Sequence, residues 1–450
     1  MILKIRKIKR KAYIVMIASY ILALNFLIKN CYANLFLNVY INPYGLEYRI
    51  IKNIIGVFLA GIIGMHTVYQ INDKNFSSDI FGIIEILYFI PGILYCTITN
   101  TPLLFISFFF AFWLLMTVFN ILIPTSKGTL AKYINFYIPD KVFGMCLIAI
   151  VILAFITGKL SGANFFNLIF SGEEIYENRA NLAARNVHWI IWNLTISLAY
   201  FIPVLLCLTI KMRKFFISAL LCVAEFYLYS IGSNRIFIYL LGMALFFSFF
   251  RANKASVLKT QFAMVIVSII GFYVNSKLFQ IIPSIIDRLG TIPTKVAIRY
   301  FMYFSNHEPA YLADAFPRLY NILGIESPFV NNGIGTVVGY YFSHGFDNEN
   351  TGLVGGGIGN FGMLSILISP IFYILGFRII ESVCNKIQNP TIRFQIALTY
   401  AIYAINANQF FTIFIRYSSG LLLLIFILVI INRNHSHTEI EVHIEENSSS

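Results

Sequence analysis

The sequence predicts an all-α fold, that of a polytopic integral membrane protein with about 12 transmembrane helices. Three observations predict it. Hydrophobic residues make up 58% of the 450 positions and charged residues only 12%, whereas soluble domains carry about 25% charge. The apolar residues fall in runs of roughly 17–24, which is bilayer-spanning length at helical rise. Backbone groups in hydrocarbon must be satisfied within their own segment, so such runs are helices. The short alternating segments of a membrane β-barrel do not appear.

Spans are expected near 12–29, 52–71, 80–98, 102–124, 142–158, 188–210, 215–231, 236–250, 261–282, 353–377, 394–411 and 413–431. The first follows the basic cluster Lys4 to Lys11. It reads as an uncleaved helix rather than a secretory signal, because no small-residue cleavage site follows cleanly and many spans come after. Lys211, Arg213 and Lys214 separate the sixth span from the seventh, and Gly232-Ser-Asn-Arg235 makes a very short break before the eighth. Arg251, Lys254 and Lys259 follow the eighth. The segment 283–352, between the ninth and tenth spans, is the longest polar stretch and is expected as a large outside loop. The tenth span begins in a glycine run, compatible with a re-entrant or bent helix. Residues 1–432 read as one transmembrane domain, and the acidic, serine-ended 433–450 as a disordered cytoplasmic tail.

With the N-terminus inside, alternation places 72–79, 125–141, 211–214, 251–260, 378–393 and both tails in the cytoplasm. These segments hold 20 of the 33 Lys and Arg, the bias that orients membrane proteins. The net charge of +13 is therefore a topology signal, and nucleic acid is not an expected partner. Lysine dominates inside and arginine dominates the remainder. Arginine outside works against orientation and is the better bidentate phosphate ligand; the plainer reading is an interface anchor that snorkels.

The 283–352 segment carries Arg288, Lys295, Arg299, His307, Glu308, Asp314, Arg318, His344, Asp347 and Glu349, with Tyr300, Tyr303, Tyr311, Tyr320, Tyr340 and Tyr341. Cations beside aromatics suit a sugar linked to phosphate: ring faces pack on sugar C–H surfaces while guanidinium groups hold the phosphate. Thr291-Ile-Pro-Thr is expected to start a helix with Pro293 in its first turn, which puts Lys295 and Arg299 on one face. The alternative is a solvated helix on the membrane surface. Arg235 sits at the outer boundary as an anchor or a phosphate ligand. In 159–187, Glu173, Glu174, Glu177, Arg179 and Arg185 read as a solvated amphipathic helix or as an acceptor contact. His344 lies eight residues before Gly352 and is a candidate general base, although a lone loop histidine is more often incidental. The run Gly355-Gly-Gly-Ile-Gly-Asn-Phe-Gly362 precedes a span rather than following a strand. It therefore fails as a nucleotide loop and points to close helix packing or a bend. No Walker motif, HExxH or metal-ligand cluster is present, so neither a metal nor a cofactor is expected. The six cysteines are scattered without a CxxC pair, which argues against a disulfide framework.

These features resemble the O-antigen polymerases, the Wzy-type oligosaccharide repeat-unit polymerases of bacterial envelopes. The likeness covers most of the chain in architecture and is closer from Gly232 to Gly362. It is carried by Gly232-Ser-Asn-Arg235, by Arg288, Arg299 and Arg318 in the outside loop, and by the His344-to-Gly352 spacing, which is similar to that of the family and of the related O-antigen ligases. The family's arginine motif with a glycine eleven residues later is absent from 159–187. The resemblance implies a glycosyltransferase in the bacterial inner membrane whose active face is periplasmic. Donor and acceptor are oligosaccharides on undecaprenyl pyrophosphate, and a chain-length regulator is an implied protein partner. Arg235 and Arg299 are the implied catalytic arginines and His344 the implied loop histidine. Arg288, Arg318, Lys295, Arg179 and Arg185 would bind pyrophosphate or sugar. The rivals are a lipid-linked oligosaccharide flippase and an O-antigen ligase. A flippase should carry ionisable groups at mid-span around a cavity, where the sequence offers only Glu85, Glu225 and Lys277 as main cases.

Overall fold

A computed structural model describes residues 2–32, 48–71, 73, 75–125, 139–164, 187–231, 235–274, 281–313, 315–330, 333–343, 352–385, 387 and 389–406. Among them the regular structure is helical. The elements are α1 (Ile2–Phe26), α2 (Ile50–Gln70), α3 (Phe76–Ile84), α4 (Ile90–Ile98), α5 (Leu103–Leu122), α6 (Asp140–Leu160), α7 (Trp189–Lys211), α8 (Phe215–Tyr229) and α9 (Arg235–Phe249). They continue with α10 (Lys254–Val274), α11 (Ile281–Ile286), α12 (Ile292–Phe304), α13 (Pro317–Leu323), α14 (Ile334–Ser343), α15 (Gly352–Phe361), α16 (Ser365–Cys384) and α17 (Pro390–Asn406). Among the described residues eight helical stretches are long and apolar enough to cross a membrane, which makes this a multi-pass membrane protein. Each coincides with an expected span. The expected spans 215–231 and 236–250 are the shorter apolar helices α8 and α9, and α17 covers the start of 394–411. The span 413–431 and the tail 433–450 lie outside the described residues.

The chain clusters into two compact units. The first draws on Met1–Pro124, Asn253–Leu375 and Ala401–Arg416. Its centre is the continuous segment Phe76–Ile98, whose spanning window is wholly buried. Against it pack α1, α2, α5, α10 and α12. Helix α2 shows why. Ile51, Ile54, Phe58 and Ile62 are exposed along one face, while Asn53, Gly56, Ala60, Gly64 and Thr67 are buried on the other. Large apolar side chains face outward because lipid solvates them, and small ones face inward because van der Waals contact then drives association. A β-carbon on Gly56 would come within 2.0 Å of Thr97 Oγ1, so α2 and α4 meet through a gap that glycine alone leaves open.

Besides the π turn that ends α1 (Leu27–Tyr32), two π turns interrupt helices of this unit, at Glu85–Phe89 and Asp287–Thr291. Each opens with an acid and is followed two residues later by proline, Pro91 and Pro293. Proline cannot donate its backbone nitrogen, so a carbonyl upstream loses its partner, and a π turn is one way a helix re-satisfies it. At the first, Ile90 N donates to Glu85 O five residues back; the next bond in that register would come from Pro91. Tyr20 Oη supplies the donor instead, reaching Ile86 O at 3.0 Å. The turns touch each other: a β-carbon on Gly290 would meet Pro91 Cβ at 2.5 Å and Leu87 O at 3.0 Å.

The second unit draws on Thr125–Ala252, Gly376–Tyr400 and Tyr417–Ser450. Helices α6, α7, α8 and α9 pack together in it. Gly158 of α6 admits the Tyr227 ring, and Ser161 shares a 3.0 Å hydrogen bond with Thr195. Arg378 and Glu381 form a buried ion pair at 3.0 Å.

The 283–352 segment differs from the polar loop expected of it. Its first part is core: α12 is buried at all but two positions, and Lys295 and Arg299 are only 4% and 9% exposed. Arg299 lies over the Phe342 ring, and hydropathy alone reads both cations as polar. Pro293 stands in the first turn of α12 after Thr291, as expected, although the chain enters it directly from α11 and the π turn. Gly362 (φ +56°) breaks the expected 353–377 span into α15 and α16, which is the bend its glycine run allowed.

Candidate functional site

The described part of 283–352 builds an aromatic recess in the first unit. Helix α12 supplies Tyr303 and α14 supplies Val337, Tyr340 and Tyr341, which line an open pocket of about 580 Å³. Tyr340 and Tyr341 are 65% and 52% exposed, so the pocket presents ring faces and phenol hydroxyls together. Tyr303 and Tyr341 meet edge-on with centroids 5.2 Å apart. Burial, and then the neighbouring Tyr341, push the Tyr303 phenol above its ordinary value. It stays a neutral hydrogen-bond donor.

His307 completes the recess. Its ring stacks on Tyr303 at 4.1 Å and 6°, and lies edge-on to Tyr341 at 5.7 Å. Its Nδ1 is 2.8 Å from Tyr303 O. A carbonyl only accepts, so Nδ1 carries the hydrogen, and in the neutral ring Nε2 is left with the lone pair. The turn after α12 thus fixes both the plane and the tautomer of this histidine. In the sequence, the spacing to Gly352 singles out His344 as the candidate base and gives His307 no role.

Lys295 and Arg299 share one face of α12, as their spacing required. Arg299 places its guanidinium carbon 5.6 Å above the Phe342 ring. The next residue on α14 is therefore Tyr341's neighbour and the arginine's platform at once. Arg288 is half-buried on the π turn, where the Thr291 hydroxyl donates to the Asp287 carboxylate. Arg318 is exposed on α13 and has no place in the recess. Arg235 opens α9 in the second unit, and its side chain lies outside the described residues. Arg179, Arg185 and His344 lie outside them too, as do Asp314, Asp347 and Glu349.

The glycine run is the floor on which α12 rests. Gly355 and Gly359 lie one turn apart on α15. A β-carbon on Gly355 would sit 3.5 Å from Ala297 Cα, and one on Gly359 would be 3.1 Å from both Tyr300 and Ile334. The small-xxx-small spacing brings the two helices to backbone contact and seats α14 beside them. Asn360 ties the next stretch down. Its Nδ2 donates to Gly356 O at 2.9 Å, and its Oδ1 accepts from Leu312 N at 3.1 Å. Tyr311 and Leu312 both have positive φ (46° and 70°), a strained state for such residues, and Asn360 helps to hold it. Asn360 gave no signal in the sequence: one asparagine among glycines reads as part of the bend.

The arrangement can stack a pyranose face on tyrosine, offer phenol hydroxyls to sugar hydroxyls, and hold a neutral imidazole nitrogen at the rim. No protein-family model, curated protein or solved structure matches the chain.

Proposed function

We propose that this chain is a membrane glycosyltransferase that polymerises undecaprenyl-pyrophosphate-linked oligosaccharide repeat units into O-antigen or a related surface polysaccharide. The reaction takes place at the periplasmic face of the bacterial inner membrane. One observation carries the reading: an open tyrosine-lined pocket with a tautomer-fixed histidine at its rim, built on the helix that bears Lys295 and Arg299. The acceptor hydroxyl attacks the anomeric carbon of the donor chain, the C–O bond to the pyrophosphate breaks, and undecaprenyl pyrophosphate leaves. Tyr303, Tyr340 and Tyr341 hold a sugar of one chain. Arg299, with Arg235 as its counterpart by resemblance, balances the charge that grows on the leaving pyrophosphate. His307 Nε2 removes the hydroxyl proton, a role in which His344 is the rival.

A second reading, lipid-linked oligosaccharide transport, is favoured by one observation: Glu85, buried in the middle of a spanning segment, is paired with His66. Ionisable groups at that depth mark transport pathways in many membrane proteins. The lipopolysaccharide banding pattern of a deletion strain separates the readings. A single repeat unit on the lipid core supports the polymerase. Bare core supports the transporter or a ligase and sinks the polymerase.

A further inference from the structure

The buried polar cluster of the first unit contains a site that the polymerase reading does not use. Glu85, in the first π turn, is fully buried and accepts three hydrogen bonds. They come from His66 Nδ1 at 2.5 Å, Trp113 Nε1 at 2.8 Å and Thr67 Oγ1 at 2.9 Å, whose single hydrogen is shared with Ile63 O at 3.0 Å. These contacts fix the orientation of the carboxyl group within the turn. His66 is then pinned at Nδ1–H, and its other nitrogen faces Gln70, with Nε2 to Nε2 at 3.1 Å. An amide NH₂ can only donate, so in this arrangement His66 Nε2 accepts and the ring is neutral.

That arrangement leaves a defect. Gln70 is 6% exposed, and its Oε1 is buried without a hydrogen-bond partner. An orphaned buried acceptor costs about 1–3 kcal/mol. Turning the amide over would present Oε1 to His66, which helps only if Nε2 also bears a hydrogen. With Nδ1–H already committed to Glu85, that ring is imidazolium. The two orientations of one amide thus correspond to two protonation states of one histidine.

The other charged groups nearby are committed elsewhere. The ionisable groups on the elements packed against this turn include Lys52 and His66 on α2, Asp79 on α3, Lys254 and Lys259 on α10, and Asp287 with Arg288 on the second π turn. Lys254 is 1% exposed and pairs with Asp79 at 3.2 Å, and its ammonium also donates to Asp73 O at 3.1 Å. Lys52 Nζ donates to Thr99 O at 2.6 Å and Thr101 O at 2.7 Å. His66 is the ionisable group whose ring meets Glu85 directly.

We propose that His66, Glu85 and Gln70 form a proton-binding site within the membrane segment, in which a proton from water adds to His66 Nε2 and Gln70 turns its amide to accept it. The N–H bond forms as an O–H bond of hydronium breaks, and a water molecule is left behind. His66 is the outer member of the pair, 18% exposed while Glu85 is at 0%. The site stands on this geometry alone and is independent of the polymerase reading.

The test uses the full-length protein in nanodiscs, labelled with ring-¹⁵N histidine and titrated by NMR. The chain has seven histidines, and the His66→Gln variant identifies the His66 signal by its loss. The expected result is a one-proton transition of that signal from neutral to imidazolium shifts over the range in which histidines titrate, roughly pH 5–8. Glu85→Gln should move its midpoint to lower pH by about one to three units, the effect of an adjacent opposite charge. Gln70→Leu, which cannot accept, should move it the same way by about one unit or more, the worth of a hydrogen bond to a charged group. A His66 signal that holds one protonation state from about pH 4.5 to 9 overturns the proposal. So does a midpoint that neither variant moves.

Discussion

Arg299 gives the sharpest test of how the recess works. Its guanidinium lies 5.6 Å from the Phe342 ring and the residue is 9% exposed, so the contact is largely shielded from water. A cation over an aromatic face contributes about 0.5–2 kcal/mol in that range of exposure. If the contact aims the guanidinium at the leaving pyrophosphate, that energy is lost from the transition state, and at 1.36 kcal/mol per tenfold it slows the reaction by roughly 2- to 30-fold. Arg299→Lys keeps the charge and loses the planar fork; Phe342→Leu keeps the volume and loses the ring. Initial rates of polymer formation from lipid-linked repeat units, with the protein in nanodiscs, should fall within that range for each variant. The double variant should be little worse than the slower single one, because both remove the same contact. Arg299→Ala should abolish polymerisation while the protein still inserts. Full rates for Arg299→Lys, or losses in the double variant that multiply, would refute the argument that Phe342 positions this arginine.

Four other outcomes are expected. His307→Ala should lower the polymerisation rate about 10²–10⁴-fold with donor binding kept; if only His344→Ala has this effect, the base is His344. Asn360→Ala should lower stability by about 1–3 kcal/mol, since Leu312 N and Gly356 O lose a buried partner; thermal unfolding of the detergent-solubilised protein reads this directly. The polymerisation should proceed in excess EDTA without nucleotide, and activity lost in chelator and restored by a divalent ion would contradict that. A topology reporter at position 320 should give the exported-side signal, and a cytoplasmic signal there would remove the whole mechanism.

The spans were legible because a bilayer imposes one rule on all of them, a run of apolar residues long enough to cross. Their ends were less legible, for reasons that lie in pairing. The third span begins at Phe76 rather than 80 and the ninth at Lys254 rather than 261. In both cases the polar residues assigned to loops are helical, because Lys254 pairs with Asp79 across the two elements. The same effect hid the core character of α12: Lys295 and Arg299 count as polar in any window, yet their surroundings bury them. The mixture of cations and tyrosines pointed to the segment that holds the aromatic recess, and the glycine run was legible as a packing or bending element. What stayed hidden depends on geometry that no spacing encodes: the stacking that fixes His307, the hold of Asn360 on a strained turn, and the pairing of Glu85 with His66.

The π turn at Asp287–Thr291 also sets an angular register. Relative to an α-helix it contains one extra residue, and one residue corresponds to about 100° of rotation and 1.5 Å of rise. Everything downstream on α12 is therefore indexed to that insertion. Deleting one residue from the turn would swing Lys295, Arg299 and Tyr303 together by about 100° around the helix axis, while Gly355 and Gly359 of α15 stayed in place. The two cations would leave the face that now buries them, and the tyrosine would leave the pocket. A single-residue deletion at Leu289 should thus cost far more than its removal of one buried side chain, because it misaligns the whole helix like a slipped tooth on a gear.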